Sequence, residues 1–419
     1  MMRNNSDSAT SSMPANPLLA KPFLAYLSAS SLWLAGVTIS SFLGSWLLID
    51  RVGASPEQTG WANTASRLLP LVFLLAGGAL IDRNNNRSYL IVMHILIILP
   101  GLGLVAWLSL PGPIPLSYGA VVGFMVSMAA IQDLCSPARQ AALTRVAPTD
   151  IQRSVTLIAL VGSVVAFLAV TVGGMIDQLG DNAVLLIMCG LFVVSLWPVL
   201  ALPNLPPQTT KAHPPPIWRE ILAGAHATWH HRVLRPVILC NFASSMFNAG
   251  AYSVAIPFIA KTVYAGGATT FASALGAITF GAGVSSLLLL VAMPFARPGR
   301  VFLAFQLSRA AILLALWINM GEWAFYGLMG LWGVNMGVTS TLGRSLVQAE
   351  APDAVRGKVF ALMLLSFILA SAIGAPVLGA LVGAADPLTA LLPGVAISIL
   401  IFGFGRLTPL WSYQDPQAH

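Results

Sequence analysis

A single acidic residue, Asp133, lies inside one of the long apolar runs of this chain, where a charge is costly and usually functional. It comes late in the run 114–135, near Arg139. One interpretation is that Asp133 accepts a proton in one conformation and pairs with an arginine in another. The other is a permanent salt bridge to Arg139 or Arg83 that stabilises the helix ends. Both interpretations stay open.

Arg67 is a second deep charge, about nine residues into the run 58–80, which is too far for an ordinary loop position. An arginine there can bind an anionic ligand or pair with an acid on another helix. It can also extend its head group to the membrane interface. The sequence leaves these three roles open.

Polar and aromatic residues recur at helical spacing in three other runs. Amides and hydroxyls on one face can bind a polar ligand beside an aromatic wall, or they can form hydrogen bonds between helices. The residues are Trp33, Thr38, Ser41 and Ser45; Asn241, Ser244 or Ser245, Asn248 and Tyr252; and Trp332, Asn335, Met336 and Thr339.

A short polar turn separates the apolar runs before Leu80 and after Tyr89. Its pattern Gly-x-x-x-Asp-Arg-x-x-x-Arg resembles the loop between helices two and three of the major facilitator superfamily. The segment 136–143, followed by Ala147-Pro148, is similar to the subgroup that contains enterobactin exporters and macrolide efflux proteins. The resemblance implies gating roles for six residues: Gly78, Asp82, Arg83, Arg87, Arg139 and Arg344.

The resemblance also implies that helices one, four, seven and ten line a central cavity. It makes Asp133 the candidate for proton coupling, and it places Arg309 on a peripheral helix, where we expect its head group to reach the interface. The substrate-binding candidates are Trp33, Arg67, Asn241, Asn248, Tyr252, Trp332 and Asn335.

Composition independently excludes an ordinary soluble protein. Of 419 residues, 57% are hydrophobic and 8% charged, which indicates a multi-pass membrane protein. The net charge of +7 comes from loops rather than from one patch, so nucleic-acid binding is excluded. The three cysteines show no paired spacing, and no phosphate loop or metalloprotease motif is present. We therefore expect no enzyme activity, cofactor or metal.

The apolar runs predict an all-α polytopic membrane protein with twelve transmembrane helices in two six-helix halves, the major facilitator fold. The predicted organisation is an N-terminal tail (1–22), a first half (23–202), a linker (203–232), a second half (233–408) and a C-terminal tail (409–419). The predicted spans are 23–49, 58–80, 89–110, 114–135, 154–176, 182–202, 233–260, 270–294, 301–319, 323–346, 357–383 and 387–408.

Basic residues predict the orientation, because short cytoplasmic loops collect Lys and Arg. With both termini in the cytoplasm of a bacterial-type inner membrane, only Arg51 and Lys261 of the 21 Lys and Arg residues face outward. Within the linker, residues 217–230 predict either a short amphipathic helix on the membrane surface or a plain loop.

The expected function is alternating-access transport, as a monomer in the lipid bilayer, with protons as the coupling ion. The subgroup resemblance favours export of a siderophore or an amphipathic drug-like molecule. Import of a siderophore or nutrient is an alternative, and so is a membrane protein that moves lipid or transports nothing.

Overall fold

The computed structural model describes residues 21–81, 85–110, 115–147, 151–205 and 217–414. These residues form helices and no strand, as the all-α prediction requires. The helices are α1 Lys21–Trp46, α2 Pro56–Ile81, α3 Asn86–Leu96, α4 Ile98–Leu108, α5 Tyr118–Val146, α6 Ile151–Gly174, α7 Ile176–Leu179, α8 Asp181–Leu200, α9 Ile217–His230, α10 Leu234–Gly250, α11 Ile256–Phe258, α12 Gly267–Ala292, α13 Pro298–Ile318, α14 Glu322–Glu350, α15 Arg356–Ala384 and α16 Leu392–Arg406.

Within the described ranges, nine helical spans are long and apolar enough to cross a membrane. The three other predicted spans correspond to α2, to the segment 234–263 and to α14, which are helical but do not belong to that group of nine. In the segment 234–263, wide π-helical turns at Ala251–Ala255 and Ile259–Val263 interrupt the α-helix. The polytopic fold is confirmed, whereas the count of twelve spans is not fully established.

The two halves meet through small residues that let helix backbones approach closely. A Cβ atom on Gly60 of α2 would lie 2.6 Å from the carbonyl oxygen of Ala375 in α15. One on Gly379 of α15 would lie 2.5 Å from the carbonyl oxygen of Pro56. Larger side chains at these glycines would therefore push the two helices apart.

The hydrogen bonds and ion pairs that join described residues of one half to described residues of the other lie toward one end of the bundle, which we call the closed end. It carries the last residues of α1, the first turns of α2 and α12, the loop between α6 and α8, and the last turns of α15. One core of buried apolar residues runs through the first half and continues into the second half at the closed end. At the opposite end, the second half has a separate core around Leu234, Phe302 and Leu346.

The short helix predicted within the linker is confirmed as α9. It packs against α15 so closely that a Cβ atom on Gly224 would overlap the backbone of Lys358. Leu222 and Trp229 of α9 remain exposed, as an amphipathic helix would leave them. Its location on the membrane surface stays a prediction.

Candidate functional site

A cavity of about 270 Å³ lies between the two halves. It has hydroxyl and amide groups, one arginine, methionines and aromatic rings in its wall, a mixture suited to an amphipathic small molecule. The wall includes Thr38, Ser41 and Ser45 of α1, Asn63, Ser66 and Arg67 of α2, Met125, Met128 and Gln132 of α5, and Tyr252, Ser253 and Phe271 of the second half.

Helical periodicity explains the wall contributed by α5. Met125, Met128 and Gln132 are separated by three and four residues, so they project from one face of the helix. In α1, the polar residues Thr38, Ser41 and Ser45 repeat in the same way. Each helix therefore presents a polar or polarisable stripe to the cavity.

Arg67 is exposed in this cavity, at the middle of α2. A water-accessible cavity lets the guanidinium avoid lipid without reaching the interface. Charged side chains within a membrane usually face such a cavity. Tyr252, from the wide turn after α10, lines the same cavity and lies within electrostatic range of Arg67. Two of the predicted substrate-binding residues, one on each half, are thus brought together.

Asp133 is half-buried directly after the cavity-lining Gln132. Its electrostatic partner is Arg67, and among the described residues no ion pair joins it to Arg139. The other residue proposed as a permanent partner, Arg83, lies outside the described residues. The arrangement leaves the Asp133 carboxyl group without the fixed salt bridge to Arg139.

The structure places Trp33 inside the first half rather than on the cavity wall. Its ring centroid lies 4.5 Å from that of His94 and 5.5 Å from that of Phe192, and the residue is fully buried. The Arg139 guanidinium carbon lies 5.6 Å from the centre of the Trp33 ring. Trp33 and Arg139 therefore pack α1 against α3, α5 and α8 in this conformation.

In the second half, three of the predicted binding residues, Asn248, Trp332 and Asn335, form hydrogen bonds between helices. The Trp332 indole N–H donates to Asn248 Oδ1 at 3.3 Å. Asn335 donates to Ser308 Oγ at 3.0 Å and to a backbone carbonyl of α13. Asn241 is half-buried near Gly343. In this conformation these side chains cross-link α10, α13 and α14.

The position of Arg309 differs from the sequence-based expectation. It was expected to extend to the interface, but it is completely buried. Its Nε donates to Ser398 Oγ at 2.9 Å, and its Nη1 donates to Ser244 Oγ and to Asn248 Oδ1. The reason is that α13 turns this face toward α10 and α16, so serine and asparagine oxygens surround the guanidinium.

Only some of the predicted gating residues lie within the described part of the chain. Asp82 and Arg83 lie outside the described residues, and Gly78 falls within α2. Arg87 lies in the first turn of α3, where its guanidinium donates to the Leu200 carbonyl at the end of α8.

Arg344 is exposed on α14. Arg139 accepts a hydrogen bond from the Tyr26 hydroxyl on its backbone oxygen at 3.0 Å, in addition to its contact with Trp33. None of these contacts joins the two halves, so the gating role of the six residues stays a prediction.

A network of ion pairs at the closed end does join the halves, and the sequence did not reveal it. Lys261 Nζ lies 3.2 Å from Asp50 Oδ1, and the other oxygen of Asp50 lies 2.9 Å from Arg51. Arg51 also pairs with Asp181 at 3.0 Å and with Asp177 at 3.6 Å. The available signal was that both cations predicted to face outward, Arg51 and Lys261, adjoin long apolar runs.

Asp177 extends this network to a helix end of the other half. Its Oδ2 accepts a hydrogen bond of 2.8 Å from the backbone N–H of Ala268, in the first turn of α12. A carboxylate at this position satisfies an unpaired N–H group and interacts favourably with the helix dipole. One acid therefore serves both the ion-pair network and the cap of α12.

Membrane-crossing helices arranged in two halves around a shared polar cavity define a transport protein, not an enzyme. Residues 23–375 match the profile described as Major Facilitator Superfamily. The chain belongs to this superfamily, because the match covers most of its length.

Among characterised relatives, the chain is similar to enterobactin exporters. It is 25% identical over 401 residues to the enterobactin exporter EntS of Shigella flexneri, covering 88% of this chain and 86% of that protein. It is 26% identical over 395 residues to EntS of Escherichia coli O1:K1, with the same coverage. These similarities extend beyond the short segment that first suggested the subgroup.

Solved structures with this fold are transporters. The nucleoside transporter NupG superposes with a TM-score of 0.71 at 15% identity, covering 94% of this chain and 99% of that one. A bacterial homologue of the human lysosomal transporter Spinster, inward-facing and unoccupied, gives 0.66 at 14% identity, covering 97% and 100%. At these identities the likeness establishes the fold.

Proposed function

We propose that this protein is a proton-coupled exporter of a small amphipathic molecule, with siderophores as the first class to test. The observation that carries the proposal is the central cavity, closed at one end by contacts between the halves and lined by both of them. Such a cavity is what alternating access requires of a transporter, because substrate must reach the site from one side at a time.

The composition of the wall supports the substrate class. Hydroxyls, two amides and Arg67 provide polar contacts, while Met125, Met128 and Phe271 provide an adaptable apolar surface. The similarity to enterobactin exporters along most of the chain favours a siderophore over other amphipathic compounds.

Asp133 is the residue we propose for proton coupling. It is half-buried beside the cavity and lies within electrostatic range of Arg67, without a salt bridge to another described residue. Protonation of Asp133 would release the attraction to Arg67, and substrate binding at Arg67 would in turn alter the affinity of Asp133 for a proton. This linkage is the physical basis of exchange between proton and substrate.

The test is flux in proteoliposomes under an imposed proton gradient, with a catecholate siderophore and a cationic dye as alternative substrates. Movement of either compound against the protons supports the proposal and assigns the class. Uptake of a ferric siderophore alone would favour the importer, and the absence of gradient-driven movement would contradict proton-coupled export.

A further inference from the structure

A fully buried arginine in the second half lacks an acidic partner. Arg309 is bonded to the neutral oxygens of Ser244, Asn248 and Ser398, and no carboxylate of a described residue pairs with it. Its second amino group, Nη2, is buried with no hydrogen-bond partner among the described residues. A buried, unpaired charge is strongly unfavourable, so a counter-charge is expected at some stage of the transport cycle.

Other polar atoms nearby are equally unsatisfied. Gln306, one turn before Arg309 on α13, is fully buried, and neither its amide oxygen nor its amide nitrogen has a partner in the described part of the chain. The same holds for the amide oxygen of Asn335. Buried polar groups are normally hydrogen-bonded, and a group of exceptions on one helix pair indicates a function beyond packing.

Asn248 connects this cluster with the central cavity. It is half-buried, and it lies one helical turn before Tyr252, which lines the cavity wall. Its Oδ1 lies 3.5 Å from Arg309 Nη1 and accepts from the indole of Trp332. A ligand that moves along α10 from Tyr252 would therefore meet Asn248 first and the guanidinium behind it.

We propose that Arg309 is a binding residue for the carboxylate oxygens of an anionic substrate. The guanidinium presents several donors in a fork that matches such oxygens. Asn248 occupies the position of the anion when substrate is absent, and Ser244 and Ser398 hold the guanidinium in place. The wide turns that follow Gly250 interrupt the helical segment 234–263, so this segment can shift to admit the ligand.

This inference rests on the proposed function and makes the substrate class more specific. It adds a second cationic contact to Arg67, on the opposite half of the molecule. A substrate that contacts Arg67 with one part and Arg309 with another would bridge the two halves, which would couple binding to the relative position of the halves.

The test uses the purified full-length protein and isothermal titration calorimetry with four probes: 2,3-dihydroxybenzoate, its neutral amide, benzoate and catechol. The wild type is expected to bind the acid at least about tenfold more tightly than the amide, because the amide cannot pair with a guanidinium. Tight benzoate binding would identify the carboxylate as the recognised group, whereas catechol binding as tight as that of 2,3-dihydroxybenzoate would overturn the proposal.

Two variants decide whether Arg309 is responsible. Arg309→Gln should abolish the preference for the acid, whereas Arg309→Lys should keep part of it. Arg297→Gln removes the same charge from the exposed start of α13 and should leave the preference unchanged. If Arg309→Gln folds and still prefers the acid, the proposal is overturned.

Asn248→Asp provides a test that does not depend on removing the arginine. It places a carboxylate beside Arg309 Nη1, so an internal anion should satisfy the guanidinium, raise the melting temperature and eliminate the preference for the acid. A lower melting temperature with the preference intact would overturn the proposal. Should the wild type transport a siderophore without preferring the acid, only this inference fails, whereas an absence of all flux contradicts the proposed function.

Discussion

Lys261 and Asp50 join the two halves of the molecule directly, with Lys261 Nζ 3.2 Å from Asp50 Oδ1 and 2.7 Å from the carbonyl oxygen of Ile49. Both contacts tie the wide turn Leu47–Arg51, which follows α1, to the wide turn that follows α11. An exposed pair of this kind contributes at most about 1 kcal/mol. Because a transporter changes conformation over small free-energy differences, even this amount shifts the population of the closed state.

Lys261→Met should therefore open the closed end more often. In a Ser45→Cys background, an impermeant maleimide added at that end should react about fivefold faster, as a loss of about 1 kcal/mol implies. Cys135, Cys189 and Cys240 are buried and contribute little background. Lys261→Arg keeps the charge, so the introduced cysteine should react slowly with the maleimide in this variant. Equal reaction rates in the two variants would refute the role of this pair.

Asp177→Asn should weaken the cap of α12. The amide still accepts from the Ala268 N–H, but it loses the charge that interacts with the helix dipole and with Arg51, so we expect a loss of about 0.5–1 kcal/mol. The measurement is the midpoint of thermal unfolding. Asp181→Asn is the matched control, because Asp181 pairs with Arg51 but, unlike Asp177, accepts no hydrogen bond from the first turn of α12. Equal shifts in the two variants would disprove the cap.

Arg67→Gln should reduce substrate flux at least about tenfold and leave thermal stability nearly unchanged. The side chain is exposed in the cavity, so its removal creates no buried defect, whereas a charged contact to substrate is lost. Arg67→Lys should retain part of the flux. A variant with full flux at normal membrane levels would show that substrate does not contact Arg67.

Asp133→Asn should abolish flux driven by a pH gradient while substrate exchange across the membrane continues. Asparagine cannot take up and release a proton in this range, but it preserves the size and polarity of the side chain. Asp133→Glu should restore some driven flux. Persistence of pH-driven transport in Asp133→Asn would favour a structural role for this carboxyl group.

Gly60→Ala should destabilise the closed end, because the new methyl group would meet the Ala375 carbonyl at 2.6 Å. We expect a melting temperature lower by a few degrees, corresponding to about 1–3 kcal/mol of overpacking. Gly103→Ala is the control, since nothing lies within 4 Å of a Cβ atom there. A comparable change in both variants would mean that helix propensity, not contact with α15, determines the effect.

Apolar runs made the helical architecture predictable, because a membrane span needs about twenty apolar residues whatever its neighbours are. For the linker segment 217–230 the sequence left a helix and a loop open, and the structure shows the helix α9. The depth of Arg67 within an apolar run made its position in the cavity predictable. For Tyr252, the helical spacing of polar and aromatic residues did the same. These are local properties of the sequence.

The remaining features depend on which helices become neighbours. The burial of Arg309 requires α13 to face Ser244 and Ser398, which lie far from it in the chain. Trp33 has the spacing of a cavity residue, yet His94 and Phe192 surround it because α1 turns that face inward. Three-dimensional proximity of this kind leaves no signal in a single sequence.

The ion-pair network at the closed end is partly open to solvent, with about a third of the Arg51, Lys261 and Asp177 side chains exposed. Dissolved ions screen such pairs, and the screening length shortens from about 10 Å at 0.1 M salt to about 3 Å at 1 M. The salt concentration at that end therefore shifts the conformational equilibrium without any ion binding at a specific site. A change in salt concentration on that side of the membrane would therefore alter the resting state of this transporter through screening alone.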